Sequence, residues 1–185
     1  MSMLDLSQSP VIAAVKDEVQ LQRALESDLD IVFLLFGDIL NIASLCQRVS
    51  DAGKHAIVHL DLVNGLSHRE IAADFIARTT CASGVISTKP AIVRRAKELG
   101  LFAVLRVFVI DSMALGNLEY EVGMSHPDVV EILPGVMPDV IHRICQSCDT
   151  PIVAGGLIAT KKDILSALSA GAAAVSTTHE ESWTL

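Results

Sequence analysis

With 185 residues, 51% of them hydrophobic and 19% charged, the chain is long enough to bury a sizeable core and reads as one globular domain over residues 1–185. No run approaches the roughly 18 apolar residues of a membrane span, and the first ten residues lack the pattern of a signal peptide, so the expectation is a cytoplasmic protein with no membrane partner. The net charge of -8, from 22 acidic and 14 basic residues, repels nucleic acid as a whole and confines any RNA contact to a local patch.

Apolar, β-rich runs begin near Val11, Ile31, Ala56, Gly84, Phe102, Val129, Pro151 and Ala172, roughly 23 residues apart, which predicts eight strands. Helical patterns lie between them, among others over residues 38–52, 68–78, 90–99, 138–146 and 161–170. Gly53, Gly100 and Gly171 follow helices, and Pro90 and Pro138 suit a first helical turn, where a missing N–H leaves nothing unpaired. Residues 31–36 and 102–106 are nearly continuous apolar runs, as strands covered on both faces of a parallel sheet require.

Eight β-then-α units predict an α/β fold, a single compact (β/α)8 TIM barrel with short loops, since an open doubly wound sheet of this size holds about five or six strands. At 185 residues against a usual length of about 250, the barrel is minimal, and its last helix, after His179, must be stunted. Cys145 and Cys148 form a C-x-x-C pair, but Cys46 and Cys81 have no paired spacing to complete a zinc site. The four cysteines read as reduced, small buried apolar side chains, and no metal is expected.

In such barrels the functional face is the carboxyl end of the strands. The polar residues there are Lys16 and Asp17, Asp38, His59 and Asp61, Thr88 and Lys89, Arg106, Glu131, Gly155 and Gly156, and Ser176 to Thr178. Gly155-Gly156 after the seventh strand and Ser176-Thr177-Thr178 after the eighth occupy the two loops where barrels bind phosphate. Exposed N–H groups, hydroxyls and a following helix N-terminus would supply the field for an anion.

Arg106, in an otherwise apolar strand, needs a partner, either an ion pair with Glu131 or a ligand. His59 is either a structural hydrogen-bonded residue or, with Asp61, an acid-base group. Asp38 is either a helix N-cap or a ligand. Arg94, Arg95 and Lys97 form the one basic cluster, either a solvated outer face or a contact for RNA phosphates. No nucleophile elbow, Walker loop, dinucleotide fingerprint or H-E-x-x-H motif is present, so no catalytic residue, metal or nucleotide cofactor is implied. A phosphosugar isomerase or epimerase using His59, Asp61 or Glu131 stays open beside a non-enzymatic sensor.

The segments PVIAAV (10–15), FLLFGDI (33–39), HLDLVNGL (59–66), ISTK (86–89), RVFVIDS (106–112), PDVVEILPG (127–135), PIVAGGLI (151–158) and GAAAVST (171–177) run nearly end to end. In this order they resemble the glycerol-uptake operon antiterminator regulatory proteins of the GlpP type. The resemblance implies a regulator and not an enzyme, one that senses a small phosphorylated polyol, glycerol 3-phosphate, without a cofactor. It also implies binding to the leader mRNA of a glycerol-uptake operon, with prevention of termination. Carried over by position, Gly155, Gly156, Ser176 and Thr177, with Lys89 and Arg106, would hold the effector phosphate, and Asp38, His59 and Glu131 would surround the glycerol end. Gathering positive surface from an acidic chain would call for a homo-oligomer.

Overall fold

A computed structural model of the chain describes residues 4, 6 and 9–184; the remaining terminal positions of the expected 1–185 domain lie outside the described residues. The strands are β1 (Val11–Val15), β2 (Ile31–Leu34), β3 (His55–His59), β4 (Gly84–Ser87), β5 (Phe102–Phe108), β6 (Val129–Leu133), β7 (Ile152–Gly155) and β8 (Ala174–Thr177). They pair in parallel, in chain order, and β8 returns to β1 to close the barrel. The helices are α1 (Glu18–Glu26), α2 (Ile42–Asp51), α3 (Ile71–Thr79), α4 (Pro90–Glu98), α5 (Ser112–Ser125), α6 (Pro138–Ser147) and α7 (Lys161–Ser169). A 3-10 turn, Glu180–Thr184, stands where an eighth helix would be, and its Trp183 indole donates to the Thr177 carbonyl at 3.0 Å. The expected (β/α)8 barrel with a shortened last unit is thus observed.

Alternation along each strand divides the core in two. Ile12, Phe33, Ile57, Ile86, Val104, Val129, Val153 and Ala174 point inward and fill the barrel. Their neighbours, such as Val32, Val58, Val85, Leu105, Val130 and Val175, point outward and pack under the helices. This parity carries His59, Arg106, Glu131, Gly155 and Ser176 onto the inner face at the carboxyl ends, two residues beyond Ile57, Val104, Val129, Val153 and Ala174.

Pro90 and Pro138 open α4 and α6 as expected. Helix α2 begins at Ile42, four residues later than the pattern suggests, because the Asp38 carboxylate accepts from the N–H groups of Leu40 and Asn41 and holds a turn, while Asp38 itself bridges to Asn64. Asp38 is therefore not the N-cap of that helix; Asn41 occupies the position. Among the described residues, no helix is long and apolar enough to cross a membrane.

Candidate functional site

The register of β5 and β6 sets Arg106 directly opposite Glu131, and that of β7 and β8 sets Gly155 opposite Ser176. Arg106 Nε donates to Glu131 Oε2 at 2.5 Å, and Ser176 Oγ donates to Oε1 of the same carboxylate at 2.5 Å. Glu131 is 0% and Arg106 8% exposed, so each charge is tolerable only because the other is there. Of the two roles open to Arg106, the ion pair is present, and it leaves room for the second. The two terminal nitrogens of Arg106 make no hydrogen bond among the described residues.

The Glu131 carboxylate reaches Ser176 by crossing β7, and Gly155 is what it crosses. A Cβ at Gly155 would stand 2.5 Å from Ser176 Oγ and 2.6 Å from Glu131 Oε1, far inside van der Waals contact. The missing side chain thus makes space for an internal carboxylate. The next two residues, Gly156 at φ 71° and Leu157 at φ 62°, are both left-handed. Such a backbone is uncommon for leucine and concentrates at ligand-binding turns. It swings Leu157 out to 75% exposure, and the Gly156 carbonyl accepts from Gly135 N at 3.0 Å, tying this loop to the one after β6.

Arg106, Glu131, Gly156, Ser176 and Thr177 line one cavity of about 170 Å3, together with Ala14, Leu35, Leu133, Leu157, Ile158 and Thr178. The structure thus brings six of the residues singled out from sequence, Thr178 included, to a common space. The apolar walls contributed by Leu35, Leu133 and Ile158 carry no sequence signal distinguishing them from core. Two details differ from expectation. Thr177 belongs to the outward parity; its hydroxyl donates to the Ile158 carbonyl at 2.6 Å and accepts from His179 N, so it clamps the two loops together and has no proton left for a ligand. The N-terminus of α7 is not an open anion site either. Thr160 and Asp163 form a capping box there, and Asp163 Oδ2 accepts from Ala159 N and Thr160 N.

His59 ends β3 on the same inner layer, 3% exposed, and its Nδ1 has no hydrogen-bond partner. Burial first, and the Arg106 charge second, push its pKa down to about 4, against the opposing pull of Asp61, so the ring is neutral near pH 7. Asp61 is fully engaged: it accepts from Thr88 N at 2.7 Å, Thr88 Oγ1 at 3.0 Å and Ser87 Oγ at 3.1 Å, with Lys89 Nζ at 3.7 Å. Burial raises its pKa, but the Thr88 bonds, the nearby His59 and the Ser87 bond together hold it below the ordinary carboxylate range. Lys89 and Asp38 stand apart from the cavity, the first half-exposed beside Asp61, the second in its turn.

The basic cluster of α4 is locally neutralised. Arg94 pairs with Glu70 at 3.2 Å, Arg95 with Asp74 at 2.7 Å and Glu98 at 2.9 Å, and Lys97 with Asp128 at 2.5 Å. The four cysteines are free thiols, but against expectation only Cys46 is buried: Cys81 is exposed in the loop before β4, and Cys145 and Cys148 are half-buried at the end of α6; among the described residues no three His, Cys, Asp or Glu side chains gather as metal ligands.

A family model described as glycerol-3-phosphate responsive antiterminator matches residues 11–183. The chain is 40% identical over 180 residues to the uncharacterized protein YgcP of Escherichia coli (strain K12), an alignment covering 97% of this chain and 94% of that protein. The crystal structure of the glycerol uptake operon antiterminator regulatory protein of Listeria monocytogenes superposes with a TM-score of 0.93 at 31% identity, over 99% of this chain and 98% of that one. A glycerol uptake operon antiterminator-related protein of Thermotoga maritima gives 0.83 at 34% identity, over 95% and 98%.

Proposed function

The chain belongs to the glycerol-3-phosphate responsive antiterminator family, and from that premise we propose that the cavity between the β5–β8 strand ends is its effector site. The phosphate of glycerol 3-phosphate sits against the backbone of residues 156–158, the Ser176 hydroxyl and the terminal nitrogens of Arg106; the polyol turns toward His59 and Glu131. The observation that carries this reading is Arg106, a nearly buried guanidinium lining the cavity, whose Nε is fixed by Glu131 while its outer nitrogens make no hydrogen bond among the described residues. A fixed planar fork is suited to an oxyanion. Lys89 and Asp38 would join only through movement of their loops.

The protein acts as a binder and not as an enzyme, and needs no cofactor. Both oxygens of Glu131 and both of Asp61 are already engaged, so neither is free to take a substrate proton, and His59 alone makes no acid-base pair. Effector binding orders the loops after β6, β7 and β8, which are linked by the Gly135 to Gly156 and Thr177 to Ile158 bonds, and so shifts affinity for a leader transcript.

A thermal-shift titration tests the first half: glycerol 3-phosphate should raise the melting temperature well above inorganic phosphate, and glycerol alone should not. No shift with glycerol 3-phosphate would sink the reading. A gel shift with a glycerol-operon leader, with and without glycerol 3-phosphate, tests the second. Arg94, Arg95 and Lys97 of α4 are the proposed phosphate contacts, exchanging their acidic partners for RNA; Arg94→Ala with Arg95→Ala should then flatten the salt dependence of binding.

A further inference from the structure

On the effector reading of the first cavity, on which this inference rests, we propose that the site continues into a second cavity beyond Arg106 and takes diesters of glycerol phosphate whose second alcohol carries an amine. A cavity of about 310 Å3 lies between the end of β5, the loop that follows it and α5. Arg106 lines this cavity as well as the first, and it is the residue the two share. Its terminal nitrogens make no hydrogen bond among the described residues, so a phosphate held there has a cavity on either side.

The second cavity differs from the first in its chemistry. Toward α5 its polar groups are Asp111 at the N-cap and, one helical turn apart on one face, Asn117 and Glu121. Asp111 Oδ1 accepts from the Ala114 N–H at 2.8 Å, but the side chains of Asn117 and Glu121 make no hydrogen bond or ion pair among the described residues. Thr88, which also lines the cavity, gives both its N–H and its hydroxyl to Asp61 and has no donor left. Val107, Phe108 and Met113 supply apolar wall. The space is thus cationic at Arg106 and anionic at α5, which suits a zwitterion: phosphate on the guanidinium, ammonium at Glu121, and a short hydrocarbon link between them.

The charge at Arg106 points the same way. Neither cavity is lined by another lysine or arginine, and Arg106 already shares its charge with Glu131. A phosphate diester carries one negative charge, whereas a monoester carries close to two near pH 7. One guanidinium matches the diester, while the monoester must also draw in Lys89 by movement of its loop and leaves the second cavity unfilled. The glycerol end lies in a space of about 170 Å3, which has no room for acyl chains, so the ligand is a free diester and not a lipid head group.

Calorimetric titration of the intact chain with sn-glycero-3-phosphoethanolamine should show binding, and glycerol 3-phosphate should compete with it. The diester with a second glycerol, which has no amine, should bind about tenfold more weakly. Glu121→Gln should weaken the ethanolamine diester about tenfold and leave the Kd of glycerol 3-phosphate within about twofold. Ala114→Phe, which narrows the second cavity, should have the same selective effect, and circular dichroism checks that both variants fold. Binding of glycerol 3-phosphate without binding of the ethanolamine diester would overturn this proposal alone; binding of neither would overturn it together with the effector reading. A diester affinity unchanged in both variants, or cosedimentation of the chain with phosphatidylethanolamine vesicles, would overturn it as well.

Discussion

The two halves of the barrel mouth use the same chemistry to different ends. In the β3–β4 half, Asp61 is surrounded by Ser87, Thr88 and Lys89, and its acceptor capacity is spent inside the protein. In the β5–β8 half, Glu131 is just as thoroughly engaged, yet its partner Arg106 keeps unspent donors and lines a cavity. Both halves contain a buried or half-buried acid, a hydroxyl and a base. What separates a structural network from a binding site here is leftover hydrogen-bonding capacity: the Arg106 donors not used on Glu131 remain available to a ligand.

The strongest way to break the contrast is to remove the clearance on which the open half depends. Gly155→Ala would drive a methyl group between Ser176 Oγ and the Glu131 carboxylate, and should lower unfolding stability by about 4 kcal/mol and abolish effector binding, as read by denaturant melts and calorimetry. A loss under about 1 kcal/mol would mean that Glu131 can be satisfied elsewhere.

Next comes His59, which ends β3 and feels the charges of both Asp61 and Arg106. Its folded pKa of about 4 lies below the ordinary 6.5, so the unfolded chain binds the extra proton first. Stability should therefore fall as pH drops from about 6.5 to 4, by about 3 kcal/mol from this group, and be fully present above that window. His59→Gln should flatten that part of a stability-against-pH curve.

Arg106→Lys keeps the charge but not the fork. It should cost about 2 kcal/mol of effector affinity, roughly a thirtyfold rise in Kd for glycerol 3-phosphate, with a smaller change in melting temperature. The smallest effect belongs to the closed half: Asp61→Asn should cost about 1 kcal/mol of stability and leave the effector Kd within about twofold. If Asp61→Asn weakened binding as much as Arg106→Lys, the two halves would form one site and the contrast would fail.

Much of this was legible in the chain. The eight strand starts are repeated within about two residues, because parallel strands buried on both faces must be continuous apolar runs. Helix α5 is harder to read: it buries only Leu118 and Ser125, carries Gly116 and Gly123, and exposes Met113, Tyr120 and Met124, so its periodicity is weak. The residues Arg106, Glu131, Gly156 and Ser176 could be named from their places after apolar runs, and a cavity collects them. The local pairing of Arg95 with Glu98, three residues on, lies in the sequence of α4; the partners Glu70, Asp74 and Asp128 come from other elements, and their approach is set by helix packing.

By itself, then, the sequence determined the barrel and the strand ends that bear polar groups, because apolar strand runs and β/α spacing are local properties of a chain. Only the tertiary structure decided which of those groups are spent and which are free. Arg106, Glu131 and Ser176 lie on three different strands, and whether a donor is left over depends on the closing of the barrel, on strand register and on the empty space at Gly155 that lets a carboxylate pass.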